Sequence, residues 1–411
     1  MHRRVKVLTA LGALALALVA LTSAASATPS ATPGVSKGSI LIGGTFPLTG
    51  PASAYGVIPQ AEKAYFDWFN ATTKGGIFGR KVNFKFYDDG YNPAQTVQLT
   101  RQLVEQDGVF AVFNSLGTEP NLAIRDYLNQ RKVPQVLVAT GASYWGTQWK
   151  KYPWTIGYQP DYVGEAQIYA KFILAKVPQA RIGVLMQNDD YGKDYLNGFK
   201  QGLGKLVGRI VDIESYDVTQ ADVAQQIAKL KASGANVLMD FATPKFSVQA
   251  FVIAAKLGWH PTFFVNNVSA TTPLMQAATQ VAGAEATDGA ISANYLKDPA
   301  DPALANDPGV KLFKSIMAKY YAKGNANDSF NMYGMATAWT MIKALQAAGK
   351  NPTRASLMRA LLHLNYSDNP FILKGVRIQT SPTDHFPIQQ SVLIRWDNGA
   401  FHNFGPIYTA K

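Results

Sequence analysis

The sequence predicts an α/β protein whose mostly parallel sheets are covered on both faces by helices. Three observations carry that expectation. Strand-like and helix-like segments alternate from residue 39 to about residue 265. The alternation runs twice, once before and once after the segment Trp154-Thr155-Ile156-Gly157-Tyr158-Gln159-Pro160. The chain has 411 residues, 47% of them apolar and 11% aromatic, which is more than one ordinary core holds and suits two.

Segment 39–46 is a short apolar run ending in Gly and Pro, as a buried strand does. Segment 60–71 repeats its apolar residues at helical spacing, and 82–87 alternates apolar with polar residues in the manner of a strand. Segment 93–106 is amphipathic, with Leu99, Leu103 and Val104 on one face. The pattern continues with a strand at 109–113, a helix at 121–130 and a strand at 135–139. The second series has a helix at 161–176, strands at 181–186 and 209–216 flanking a helix at 193–203, and a helix at 220–233. It closes with a strand at 237–241, a helix at 247–257 and a strand at 262–265. Helices at 310–322, 333–348 and 354–362 follow. From about Gly375 the chain reads as strands, with 392–396 leading into an Asp397-Asn398-Gly399 turn.

The first 27 residues have another character. Arg3, Arg4 and Lys6 precede an apolar run over 7–21, and Ala25-Ser26-Ala27 offers small residues at cleavage spacing, the pattern of a secretory signal peptide. The run is short for a membrane span, which takes roughly 20 residues. Segment 28–37, rich in Thr, Pro, Ser and Ala, reads as a flexible leader. The chain has no cysteine, which excludes disulfides, thiolate metal sites, thiol nucleophiles and a lipoprotein anchor. A periplasmic or extracellular protein is therefore expected. The net charge of +12 is dispersed in isolated pairs such as Arg80-Lys81 and Arg131-Lys132, without the basic blocks that nucleic acid requires.

No catalytic constellation emerges. Gly141-Ala142-Ser143 lacks the second glycine of a nucleophile elbow. None of the five histidines lies four residues from another, so a helical zinc-binding pair is missing. Gly202-Leu203-Gly204 reads as a helix end rather than a dinucleotide loop. Asp88-Asp89 and Asp189-Asp190 follow strands, where turn and capping duties are expected of them. No enzyme, cofactor or metal site is expected.

The loops after the strands point instead to recognition. Pro47 to Gly56, Asn114-Ser115-Leu116-Gly117-Thr118 and Ala139-Thr140-Gly141-Ala142-Ser143 combine small residues with hydroxyls. Such loops let backbone N–H groups and helix N-termini approach an anion.

Through these loops and the motifs around them, the chain resembles the leucine/isoleucine/valine-binding proteins, solute-binding components of ABC importers with the type I periplasmic-binding-protein fold. The resemblance spans the chain beyond the leader. It rests on Gly50-Pro51 with Tyr55-Gly56, on Gly75-Gly76-Ile77-Phe78-Gly79-Arg80-Lys81, on Tyr87-Asp88-Asp89 followed by Asn92-Pro93, and on Asn188-Asp189-Asp190-Tyr191-Gly192. It implies two Rossmann-like lobes joined by a three-strand hinge, one of 38–157 plus 288–372 and the other of 158–287 plus 373–411. The implied crossings lie near Gly157, near Asp288 and at 370–375. It also implies a monomer that delivers a small carboxylate, a branched-chain or related amino acid first among them, to membrane permease subunits.

Carried over position by position, the resemblance places the ligand carboxylate at Leu116, Gly117 and Thr118 and at Gly141, Ala142 and Ser143. Tyr55 and Tyr191 become aromatic walls. Amino-acid binders of the family place an acidic residue after the strand at 262–265, and this chain has Asn266-Asn267 there. The family's aromatic near Thr243 is also missing. Asn267 and Thr243 are thus altered positions of the second lobe, and amine-free aromatic or aliphatic carboxylates become the alternative ligands. Asp161, Glu165, Asp189 and Asp190 are the acids that could replace the missing one. A sensory module or a secreted enzyme are the remaining, weaker readings.

Overall fold

The computed structural model describes residues 32–410; the signal peptide expected over 1–27 lies outside them. The first half contains β1 (Ser39–Phe46), α1 (Ile58–Thr72), β2 (Lys81–Asp88), α2 (Pro93–Arg101), β3 (Val112–Phe113), α3 (Thr118–Gln130), β4 (Gln135–Val138), α4 (Tyr144–Thr147) and β5 (Thr155–Gly157). Its five strands form a wholly parallel sheet in the order β2-β1-β3-β4-β5. The second half continues with α5 (Tyr162–Lys176), β6 (Ile182–Gln187), α6 (Asp190–Leu203), β7 (Ile210–Tyr216), α7 (Ala224–Ala232), β8 (Val237–Phe241), α8 (Pro244–Lys256), β9 (Thr262–Val265), α9 (Thr272–Ala282), α10 (Ala284–Thr287) and β10 (Ile291–Asn294).

After β10 come α11 (Pro308–Tyr320), α12 (Ser329–Ala347) and α13 (Arg354–Leu361), which pack into the first half's core through Phe313, Ile316, Trp339 and Leu357. A small ribbon, β11 (Asn365–Tyr366) with β12 (Ile378–Gln379), follows. Then β13 (Gln390–Asp397) and β14 (Ala400–Thr409) add an antiparallel edge to the second sheet, whose order is β14-β13-β10-β9-β8-β6-β7. The α/β class with mostly parallel sheets is therefore present in both halves.

Three departures have physical reasons. Helix α9 is not legible in the sequence, because only Thr272, Met275 and Ala278 of its eleven residues are buried and its apolar stripe is thin. Strand β10 is only four residues long, and Ser292 and Asn294 dilute its apolar signal. The crossings also fall later than 288 and 370–375. Strand β10 pairs with β9 and β13 in the second sheet, so the first half resumes after Asn294. Val376, Ile378 and Ile388 still pack in the first core, so the second sheet resumes only at Gln390.

The acidic pairs serve the backbone. Asp189 caps α6 by accepting from the N–H of Gly192 at 3.2 Å. Asp88 accepts from the N–H groups of Leu48 and Gly90 at 2.9 and 3.0 Å. Gly204 ends α6 with φ of 54°, the helix stop expected of it.

Candidate ligand-binding site

The loops at the carboxyl ends of both parallel sheets line one cavity of about 660 Å³, its opening to solvent included. Seven of the ten positions named from the sequence line it: Tyr55, Leu116, Gly117, Thr118, Tyr191, Thr243 and Asn267. Gly117 is the N-cap of α3, with φ of 102°, a backbone that glycine alone adopts without strain. This turn aims the start of α3 at the cavity, where the first-turn N–H groups have no partner within the helix and carry partial positive charge. The hydroxyl of Thr118 is tied to that of Thr140 at 2.7 Å.

The other three named positions turn away from the cavity. The Gly141 carbonyl accepts from the Tyr162 N–H at 2.7 Å, and a Cβ there would strike Pro160 O at 2.5 Å. The Ala142 N–H is held by Thr140 Oγ1 at 3.1 Å. Ser143 donates from both N–H and Oγ to Asp194, at 2.6 and 2.8 Å. Ala139, two residues upstream of Gly141, lines the cavity instead. Strand β4 ends sooner than its apolar run suggests, and this displaces the site along the loop.

Seven aromatic rings stand in the wall. Tyr55, Tyr91, Tyr162, Tyr191, Tyr295, Phe330 and Tyr333 all line it. Tyr55 packs on Phe330 with ring centroids 5.0 Å apart, and Tyr162 meets Tyr191 edge-on at 5.2 Å. Burial holds the phenols of Tyr55, Tyr91, Tyr162 and Tyr191 well above their usual range, so all four are neutral. Tyr91 sits between Asp89 and Asn92, in a motif that stands out in the sequence for its acids alone. Its φ of 61° is held by Asp89, which accepts its N–H at 3.0 Å. Phe330 and Tyr333 carry no signal in the sequence, because α12 is buried on nearly every face and periodicity cannot single out the face toward the cavity, and Tyr295 follows the four-residue β10 in no recognisable motif.

None of the lining residues is charged. The four acids that could have replaced the missing one lie elsewhere. Asp161 and Asp189 cap α5 and α6. The N–H of Asp190 donates to Glu119 at 3.0 Å, and its side chain faces Lys193 at 3.9 Å. Glu165 is buried behind the wall, accepting from the Asn267 N–H at 2.7 Å. The Thr243 hydroxyl is engaged with Gln187 and Tyr216, whereas Thr271 Oγ1 is buried without a hydrogen-bond partner.

Several hydrogen bonds join the halves around the cavity. Tyr55 donates to Val268 O at 2.9 Å between two lining residues, and the Ser143–Asp194 and Asp190–Glu119 contacts add bonds outside the lining. Burial pushes the Asp194 carboxyl up to about 6, against the two Ser143 donors that hold it down. Ser143 thus joins the two halves and does not line the cavity. S143A removes the Oγ bond and leaves the N–H bond, so ligand dissociation should be about fivefold faster with unchanged ligand preference, equivalent to ~1 kcal/mol. Stopped-flow release measurements check this, and an altered ligand preference would place Ser143 in the site after all.

Residues 39–400 match the profile of the periplasmic binding proteins. The chain belongs to that family. As a member it is a solute-binding protein rather than an enzyme, of a family that works in the periplasm. Leu/Ile/Val-binding protein homolog 3 of Brucella melitensis is 24% identical over 364 residues, covering 88% of this chain and 92% of that protein. A branched-chain amino acid ABC transporter structure from Thermus thermophilus with bound valine superposes with a TM-score of 0.78 at 18% identity, covering 90% and 97% of the two chains. The fatty acid ABC transporter substrate-binding protein of Thermomonospora curvata gives 0.76 at 20% identity, covering 93% and 95%. No helix of the described residues is long and apolar enough to cross a membrane.

Proposed function

We propose that this periplasmic binding protein captures a small carboxylate without an amine, aromatic or branched aliphatic, and presents it to the permease of an ABC importer. One observation carries the choice of ligand: the cavity is walled by seven aromatic rings and lined by no charged side chain. A carboxylate fits the N-terminus of α3, where unpaired N–H groups and the helix dipole favour an anion. An apolar body fits the rings. A buried ammonium would need a carboxylate partner, and among the lining residues there is none. In this reading the halves are lobes that close over the ligand, with the Tyr55–Val268 and Ser143–Asp194 bonds forming on closure.

A second reading, a branched-chain amino acid, is favoured by the Brucella relative's name and the valine in the Thermus structure. In that case neutral acceptors such as the Asn267 amide would have to satisfy the ammonium. The Thermomonospora neighbour, a fatty acid binder by its name, supports the view that this fold serves amine-free acids.

The test is a thermal-shift screen of protein unfolded and refolded to strip carried-over ligand. Its panel sets leucine, isoleucine and valine against 4-methylpentanoate, benzoate and 4-hydroxybenzoate. A ligand at a hundredfold excess over Kd adds about 2.7 kcal/mol to the native state. Stabilisation by the amine-free acids and not by the amino acids is the expected result. Stabilisation by leucine alone would overturn it in favour of the second reading.

A further inference from the structure

One buried acid stands directly behind the cavity wall, and its environment is unlike that of the other acids near the site. Glu165, on α5, is 3% exposed. Its Oε1 accepts from the backbone N–H of Asn267 and from the Tyr169 hydroxyl, both at 2.7 Å, and its Oε2 accepts from the Tyr195 hydroxyl at 3.0 Å. Asn267 lines the cavity. Tyr195 stacks on Tyr162, a lining residue, with centroids 4.3 Å apart, and on Phe241 at 4.7 Å. A single carboxyl therefore holds both the altered loop and the aromatic wall of the second half.

The groups facing Glu165 are acids and phenols. Asp161, Tyr162 and Tyr169 lie on or next to its own helix, Tyr195 on α6, and Tyr295 just beyond β10, while Asp194 on α6 acts on the adjoining Tyr162. Among the described residues no lysine or arginine forms an ion pair with it. The Asn267 N–H needs an acceptor in either protonation state, and Oε1 supplies one whether Oε2 carries a proton or not.

We infer that Glu165 is a positioning residue that takes up a proton when an anionic ligand enters, so that capture of a carboxylate is proton-linked. The inference rests on the carboxylate reading of the ligand. Two negative charges in one water-poor region repel, an effect on the order of tenfold in affinity even at ~10 Å. Protonating Glu165 relieves that repulsion and leaves the Asn267 contact in place. Burial has already pushed this carboxyl up to about 7, the Tyr169, Asn267 and Tyr195 donors opposing the shift, so the proton is available near neutral pH. The sign follows from linkage: a binding step that takes up a proton weakens as pH rises through the group's titration, by up to tenfold per pH unit.

The experiment is titration calorimetry with benzoate and 4-methylpentanoate on the full-length mature protein, between pH 6 and pH 8.5. Each titration is run in two buffers of different ionisation heat, so that proton uptake is counted directly. Both probes are fully ionised in this range. Wild type should bind about tenfold more weakly at pH 8.5 than at pH 6 and take up protons above pH 7. E165Q, which copies the protonated carboxyl, should keep the pH 6 affinity at every pH and take up none. E165L, which loses the acceptors, should bind weakly throughout, and that contrast separates charge from packing. A pH profile that E165Q leaves unchanged overturns the inference while sparing the carboxylate reading. Failure of wild type to bind either acid overturns both.

Discussion

Replacing Gly117 with alanine should lower ligand affinity by at least a hundredfold and destabilise the fold by about 2–4 kcal/mol. Gly117 stands at φ 102°, ψ 145°, and a Cβ built there would lie 2.6 Å from Tyr91 Cε2 and 2.9 Å from Pro120 Cγ. The backbone cannot relax freely. The Gly117 N–H donates to Ala139 O at 3.2 Å, and its carbonyl accepts from the Asn121 side chain at 2.8 Å. Either Tyr91 moves into the cavity or the first turn of α3 rotates away, and both spoil the wall that meets the ligand. Gly204 is the control. It too has positive φ, 54°, but nothing lies within 4 Å of its would-be Cβ. G204A should lose about 1–3 kcal/mol of stability, because alanine rarely adopts φ 54° with ψ −124°, but no affinity. Chemical denaturation and calorimetry with the best ligand of the screen measure both quantities, and equal effects for the two variants would refute the role given to Gly117.

The folded protein should also be more stable at pH 5 than at pH 8, by several degrees in Tm. Burial pushes Glu165 and Asp240 up to about 7, and Asp194, Asp298 and Asp328 up to about 6. In the unfolded chain such groups titrate near pH ~4. Between these values the folded state holds more protons, so stability falls as pH rises. The stabilisation is full below the unfolded values and is lost as pH rises through 6 to 7. Each tenfold gain in a carboxyl's proton affinity on folding is worth about 1.4 kcal/mol, reduced wherever solvent enters. The buried His385 opposes the trend, because its lowered pKa makes acid conditions unfavourable, but it is one group against these five carboxyls and against Glu62, Asp89, Asp161, Asp189 and Asp288, which burial also raises. Asp88 and Asp307, whose hydrogen bonds hold them below the usual range, matter only in stronger acid. Calorimetric unfolding at pH 5, 6.5 and 8 decides it. A Tm that is flat or rises with pH would show that the five acids stay ionised in the fold. D240N should remove its share of the slope, since Asp240 is fully buried.

Much of this protein is legible in its sequence alone. Unbroken apolar runs mark β8 and β9 to the residue, because a parallel strand covered on both faces buries nearly every side chain, and apolar periodicity marks most other elements to within a few positions. The capping duties of Asp189 and the helix stop at Gly204 are readable because they depend only on neighbours in the chain. The uncharged second half of the site is visible as Asn267 standing where the family resemblance places an acid.

The tertiary structure decides the rest, and long-range packing is the common reason. Ser143 faces Asp194, 51 residues away, and so joins the two halves instead of lining the cavity. Tyr295, Phe330 and Tyr333 join the wall only because the chain returns to the first half after β10. Glu165 lies behind Asn267 through a contact spanning 102 residues. Local composition sets which elements form and how they end. Which side chains share one cavity, and which charge stands behind its wall, is set by contacts between residues distant in sequence, and these leave no mark on the spacing of the chain.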